Sequence, residues 1–192
     1  MNSRQAAKPP SRVLKRKGLV FILAICYLGT VASLAYALDL TKLKASFLEG
    51  DYGSAIKEGE SILAEVDYTA DLDELYYILG LSYLKEENYL RASDIFEIIL
   101  NEFKGSKFKL EAMLARGDAY FALEDYLMAQ RCYDELLKSN PEDKLKFQGY
   151  SRLAQIGFKK GDNQQAKLYL DKIKQEFPSD AELPLDSEFC LP

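Results

Sequence analysis

The fold is decided by four short blocks of sequence: Gly50–Ala55 (GDYGSA), Glu87–Ala92 (ENYLRA), Glu124–Ala129 (EDYLMA) and Gly161–Ala166 (GDNQQA). Each block begins 37 residues after the one before it. Self-similarity at a fixed period of this size is typical of proteins built by stacking one supersecondary unit on the next. The sequence therefore predicts a linear array of similar units rather than a single irregular core.

Polar residues that favour helix starts occur twice in each unit. One series is Asp51, Asn88, Asp125 and Asp162, and the other is Thr69, Ser106 and Asp143. Side chains of these types accept hydrogen bonds from the free N–H groups in the first turn of a helix. The predicted helices are 38–49, 52–66, 71–86, 89–103, 107–123, 126–139, 144–160 and 163–177. Short loops between them predict that neighbouring helices pack antiparallel.

Small residues also recur at the 37-residue step, at Ala55, Ala92, Ala129 and Ala166 and again at Gly80, Gly117 and Ala154. They predict positions where two helix backbones approach each other closely. Aromatic residues at Tyr83, Phe96, Tyr120 and Tyr133 are expected to fill the space beside them.

These columns together resemble the tetratricopeptide repeat. The second unit carries Tyr76, Leu79-Gly80, Tyr83, Ala92, Phe96 and Ile99; the third Met113, Gly117, Tyr120, Ala129, Tyr133, Leu136 and Pro141; and the fourth Tyr150, Leu153-Ala154, Ala166, Leu170, Ile173 and Pro178. Departures from the family pattern are Leu43, Ser46, Arg116 and Gly157. The resemblance covers residues 38–180 and implies an all-α solenoid of about 3.5–4 helix-turn-helix repeats.

The repeat period is longer than the family's usual length of about 34 residues. In this respect the chain is similar to an envelope subgroup that includes the outer-membrane assembly lipoprotein BamD and the periplasmic protein CpoB. That similarity implies an interaction scaffold that acts in outer-membrane assembly or envelope maintenance.

The resemblance also implies a binding surface, because the first helix of each pair lines the inner face of such an array. The implied groove positions are Leu40, Lys44, Phe47, Tyr77, Leu81, Leu84, Leu114, Asp118, Phe121, Ser151, Gln155 and Phe158. This set is mostly apolar and aromatic. It implies a protein partner, a helix or an extended peptide, held by apolar anchors rather than ion pairs. The alternative is that some of these residues, among them Leu81, Leu114, Phe121 and Phe158, belong to the core.

The N-terminal segment has the pattern of an export signal. Residues 1–17 are basic, no charged residue occurs from Gly18 to Leu38, and Ala35-Tyr36-Ala37 is a small-residue cleavage site. We therefore expect residues 1–37 to be a signal peptide that is cut between Ala37 and Leu38. The alternatives are an uncleaved anchor in the inner membrane and a lipoprotein cut before Cys26. Each of them places residues 38–192 in the periplasm or elsewhere in the cell envelope.

Composition argues against several classes of function. The chain contains no His, which removes His triads and His metal sites, and it has three Cys. Six of its 25 basic residues lie within residues 1–37, so the remainder is strongly acidic and unsuited to nucleic acid. No phosphate-binding Gly loop or nucleophile motif occurs. The sequence thus predicts a protein that is not an enzyme and needs neither cofactor nor metal.

Two features near the C-terminus leave alternatives open. Asp180 continues the second cap series, but only a tail, residues 181–192, follows the repeat domain, so the last repeat is expected to be uncapped. A self-assembling structural protein, stacked through this repeat as a homo-oligomer, is therefore the alternative function. Cys132 is expected to be a buried thiol, and a disulfide with Cys190 is the alternative.

Overall fold

The computed structural model describes residues 38–66 and 72–178. The predicted signal peptide with Ala37, the predicted cap Thr69, and the tail 181–192 with Cys190 lie outside the described residues.

The described residues form eight α-helices and no strand. They are α1 (Thr41–Leu48), α2 (Tyr52–Glu65), α3 (Asp73–Lys85), α4 (Tyr89–Glu102), α5 (Lys109–Ala122), α6 (Tyr126–Lys138), α7 (Asp143–Lys160) and α8 (Asn163–Glu176). Each helix packs on the next, and the first helices of successive pairs also touch. We call α1–α2, α3–α4, α5–α6 and α7–α8 units 1 to 4. This arrangement confirms the predicted all-α solenoid of helix-turn-helix repeats, and every described helix boundary lies within three residues of its prediction.

The turn between the two helices of a unit has the same construction in all four units. The side chains of Asp51, Asn88, Asp125 and Asp162 each accept a hydrogen bond from the backbone N–H three residues later. The residues just before them, Gly50, Glu87, Glu124 and Gly161, have φ of 80°, 59°, 59° and 72°. This left-handed conformation reverses the chain, and each cap N–H then bonds back to the preceding helix, as Asp125 does to the Tyr120 carbonyl at 2.9 Å. The first predicted cap series is therefore confirmed.

The second predicted cap series is wrong at its two described members. Helix α5 begins after Phe108 and has no side-chain cap. Ser106 instead accepts a hydrogen bond from the Phe108 N–H at 3.1 Å and donates one to Asp73 Oδ2 at 2.6 Å. Asp143 is the first helical residue of α7 and not its cap. Ser106 thus ties the loop before α5 to α3 in the preceding unit, a tertiary contact that a local cap pattern does not reveal.

Small residues allow the two helices of a unit to pack closely. At two of the predicted positions the close neighbour is an aromatic side chain rather than the backbone of the partner helix. A Cβ added at Gly80 would lie 2.7 Å from the ring of Phe96, and one at Gly117 would lie 2.4 Å from the ring of Tyr133. These glycines therefore make room for an aromatic ring of the second helix. Backbones do approach closely at Gly157, where an added Cβ would lie 2.7 Å from the Ala166 nitrogen.

Unit 1 reverses this pairing of large and small residues. Leu43 stands where Gly80 stands in unit 2, and Gly59 stands where Phe96 stands. A Cβ at Gly59 would lie 3.6 Å from Leu43 Cδ1, and Leu43 is fully buried. The departure at Leu43 from the family pattern is therefore compensated by a glycine on the partner helix, which preserves close packing.

Candidate functional site

The first helices of units 2, 3 and 4 line a cavity of about 520 Å³. Its walls come from α3, α5 and α7, together with the first residue of α4 and the residue before α7. The residues around it are Tyr77, Leu81, Leu84, Lys85, Tyr89, Glu111, Leu114, Ala115, Asp118, Ala122, Glu142, Lys144, Leu145, Gln148 and Arg152. We call this cavity the groove.

Five of the groove residues implied by the resemblance meet here: Tyr77, Leu81, Leu84, Leu114 and Asp118. Leu114 is only 9% exposed, so it forms part of the floor and also packs in the core. The ring of Tyr77 stacks on Phe108 with the ring centroids 4.7 Å apart. Burial raises the pKa of Tyr77, and the nearby Glu111 carboxylate raises it further, so the phenol stays neutral.

The other implied positions do not line this cavity: Leu40, Lys44, Phe47, Phe121, Ser151, Gln155 and Phe158. Ser151 is 2% exposed, and its hydroxyl donates to the Phe147 carbonyl at 2.8 Å. Phe121 is 9% exposed and packs edge-on against Tyr126.

Phe158 is the counterpart of Phe121 in unit 4, and it is 55% exposed. The position equivalent to Tyr126 in unit 4 holds Asn163, which has no ring to cover the phenylalanine. Phe121 also belongs to a core cluster with residues of α7 in the following unit, whereas unit 4 is the last unit that the structure describes.

An ion pair forms the polar part of the groove floor. Arg152 on α7 donates from Nε to Asp118 Oδ1 on α5 at 2.8 Å, and the Tyr133 hydroxyl on α6 donates to the same oxygen at 2.7 Å. The two charged side chains are only 18% and 13% exposed. Burial acts to lower the pKa of Arg152, but the Asp118 carboxylate outweighs this effect and raises the pKa above its usual value. The guanidinium therefore stays charged and joins unit 3 to unit 4.

The groove is more polar than its implied residues suggested. The reason is that the lining also includes residues that the resemblance did not imply, among them Lys85, Glu111, Glu142, Lys144, Gln148 and Arg152. A sequence signal for the ion pair existed in the repeat columns. Asp118 and Arg152 stand where the preceding units have Leu81 and Ala115, so opposite charges replace apolar residues in neighbouring units.

The thiol of Cys132 lies in the core, away from the groove. Cys132 is 5% exposed, and burial raises the pKa of its thiol to about 11, which keeps it protonated. Across residues 38–66 and 72–178, no cluster of three or more Cys, Asp or Glu side chains is placed to hold a metal. Within the same ranges, no helix has the length and apolar character needed to cross a membrane.

Comparisons with known proteins bear on the fold. Residues 110–143 and residues 148–180 each match a family model described as the tetratricopeptide repeat. A solved structure described as "Functional Characterization of Pseudomonas Aeruginosa pilF" is similar, with a TM-score of 0.51 and 17% identity. The match covers 69% of this chain and 57% of that one, so at this identity it shows a shared fold alone. A search of curated protein sequences found no match to the chain.

Proposed function

Because the described part of the chain is an all-α solenoid of tetratricopeptide repeats, we propose that it is a non-enzymatic interaction scaffold that binds a partner helix or extended peptide in the groove. Repeats of this family generally mediate binding to protein partners. The observation that carries the proposal is the groove itself, a concave surface built by three successive first helices.

The chemistry of the lining supports a peptide ligand. The floor carries apolar side chains that remain partly accessible, Tyr77, Leu81 and Leu84, and charged groups of both signs surround them. A volume of about 520 Å³ accommodates a few side chains of a peptide, which suits anchoring residues with a polar rim. The ligand is expected to present two or three apolar side chains flanked by both acidic and basic residues.

The cell envelope is the proposed location. The basic N-terminal residues, the uncharged run from Gly18 and the site at Ala37 support export by a signal peptide. The 37-residue period supports grouping the chain with the BamD-like and CpoB-like envelope proteins. We therefore propose a role in outer-membrane assembly or envelope maintenance. Mass spectrometry of the exported chain tests this location. A mature N-terminus at Leu38 supports it, a retained Met1 indicates an inner-membrane anchor facing the periplasm, and a lipidated Cys26 indicates a lipoprotein.

Site-specific photo-crosslinking tests the groove. The full chain carries a photoreactive phenylalanine analogue at Leu81 on the groove floor or, as a control, at Leu168 on α8, which is 54% exposed and outside the groove. When cells that express these chains are irradiated, we expect a covalent adduct with a partner protein for the chain labelled at position 81 and none for the chain labelled at position 168. Equal adducts from both positions contradict the groove as the binding surface. An adduct between two copies of the chain supports the alternative of self-assembly, and light scattering then gives its stoichiometry.

A further inference from the structure

A second apolar surface lies next to the groove, at the turns between the two helices of each unit. Six large apolar side chains are strongly exposed in the part of the chain that the structure describes. Five of them lie at these turns: Leu48, Leu90, Leu123, Leu127 and Phe158. Because the units stack with their first helices side by side, these turns share one edge of the solenoid. We call residues 47–54, 84–91, 121–128 and 158–165 the turn edge.

Two of the exposed leucines of the turn edge occupy the same position in successive units, whereas units 1 and 4 have Gly53 and Gln164 there. Leu90 and Leu127 are the second residues of α4 and α6, one repeat apart, and they are 65% and 61% exposed. The caps of Asn88 and Asp125 hold both helix starts in the same conformation. Single exposed apolar residues are ordinary on protein surfaces, but two at the same position of successive units, on an edge that also exposes Leu48 and Leu123, suit an interaction surface.

The charged side chains around these exposed leucines indicate which kind of partner segment would bind there. In the turns of units 1 to 3, six exposed carboxylates flank the leucines, those of Glu49, Asp51, Glu86, Glu87, Glu124 and Asp125. The basic side chains in the same three turns are Lys85 and Arg91. The turn of unit 4 differs, since Lys159 and Lys160 outweigh Asp162 there. An apolar row inside an acidic rim is complementary to an amphipathic segment with basic flanks, and it repels both an anionic lipid surface and an identical acidic edge.

We propose that the turn edge of units 1 to 3 docks a basic amphipathic segment of a partner protein. Leu90 and Leu127 cover the apolar side of that segment, and the surrounding carboxylates pair with its Lys and Arg side chains. Leu84, Lys85, Tyr89 and Ala122 belong both to the turn edge and to the groove lining. Leu90 and Leu127 do not line the groove, so the proposal does not rest on the groove binding a ligand.

The test uses the full chain and a short fluorescent helix-forming peptide made only of leucine and lysine. We expect Leu90→Ser/Leu127→Ser to weaken binding at least about tenfold, a difference of about 1.4 kcal/mol. Leu168→Ser is the matched control, because Leu168 is 54% exposed but lies outside the turn edge, and it is expected to change binding less than about twofold. Circular dichroism must show the same helix content and melting temperature in the wild-type chain and in both variants. We expect this result because exposed leucines contribute little to the stability of the fold.

Four outcomes overturn the proposal. The first is unchanged affinity in the Leu90→Ser/Leu127→Ser chain, or an equal loss in Leu168→Ser. The second is equally tight binding of a peptide made of leucine and glutamate. The third is a loss of binding in Leu81→Asp but not in the turn-edge variant, which moves the peptide to the groove. The fourth is a Leu90→Ser/Leu127→Ser chain that still binds the peptide but no longer binds lipid vesicles or no longer self-associates. Loss of vesicle binding would assign the turn edge to a lipid surface, and loss of self-association would assign it to a second copy of the chain.

Discussion

The ring of Tyr133 occupies the space in which a side chain at Gly117 would lie. A Cβ at position 117 would be 2.4 Å from Tyr133 Cε1 and 2.8 Å from Cδ1, closer than van der Waals contact permits. Gly80 and Phe96 repeat the relation one unit earlier, at 2.7 Å. One glycine and one aromatic ring thus set how closely the two helices of a unit pack.

Gly117→Ala is therefore expected to lower the free energy of unfolding by about 1–3 kcal/mol, because the added methyl group displaces a buried ring. Urea unfolding followed by circular dichroism measures the change. Gly105→Ala is the control, since a Cβ at position 105 meets nothing within 4 Å. If both substitutions have the same effect, the Tyr133 ring does not limit the approach of the helices.

A pair of substitutions at Gly80 and Phe96 tests whether a glycine and an aromatic ring also depend on each other in unit 2. Unit 4 uses Ala154 and Leu170 at the positions of Gly80 and Phe96. Gly80→Ala is expected to destabilise the chain, while Gly80→Ala/Phe96→Leu should lose less than the sum of the two single changes. A double-mutant cycle in urea should give a favourable coupling of about 0.5–3 kcal/mol. Simple additivity would show that the two positions do not depend on each other.

The repeat pattern predicted the second helix of each unit well because a local cap specifies where it begins. Asp51 and Asp125 cap their helices as the sequence indicates, and the left-handed residues before them, such as Glu124, follow the same 37-residue step. The bond from Ser106 to Asp73 was not predicted, because it joins different units and leaves no periodic trace.

The groove was predicted less well for a related reason. The family pattern predicts the helix face on which a residue lies, but it does not predict how deeply the side chain is buried. Phe121 and Phe158 share one column, yet they are 9% and 55% exposed. Phe121 packs against Tyr126 and belongs to a core cluster with residues of α7, whereas Phe158 has Asn163 in place of the tyrosine. The ion pair of Asp118 with Arg152 likewise depends on two units together, and each residue alone resembles an ordinary surface charge.

That ion pair gives a third prediction. Asp118→Leu removes the partner of both Arg152 and Tyr133 and should cost about 3 kcal/mol, as expected when one member of a buried pair is lost. The equivalent positions one unit earlier hold Leu81, Phe96 and Ala115. Asp118→Leu/Tyr133→Phe/Arg152→Ala copies that apolar set and should recover most of the lost stability in thermal unfolding. A triple variant no more stable than Asp118→Leu would contradict this exchange of polar for apolar packing.

The fourth prediction concerns the buried thiol of Cys132. Since burial raises its pKa to about 11 from the usual 9.0, the nucleophilic thiolate is scarce at neutral pH. Iodoacetamide at pH 8 should leave Cys132 unmodified in the folded chain and modify it in urea, as read by peptide mass spectrometry. The raised pKa also means that the stabilising contribution of the neutral thiol is complete below about pH 9 and is lost as the pH rises through about 11. Rapid labelling of the folded chain at pH 8 would show that the site opens readily.

The last prediction separates the two phenylalanines of one column. Phe121→Ala is expected to cost about 3–5 kcal/mol, because it leaves a cavity beside the Tyr126 ring. Phe158→Ala removes a ring that is already 55% exposed and should change stability by less than about 0.5 kcal/mol. Urea unfolding of both chains gives the comparison, and photo-crosslinking from position 81 shows whether partner capture changes. A Phe121→Ala chain that keeps wild-type stability but loses the crosslink would make Phe121 a groove residue after all. A large loss of stability in Phe158→Ala would show instead that this ring is covered in the protein.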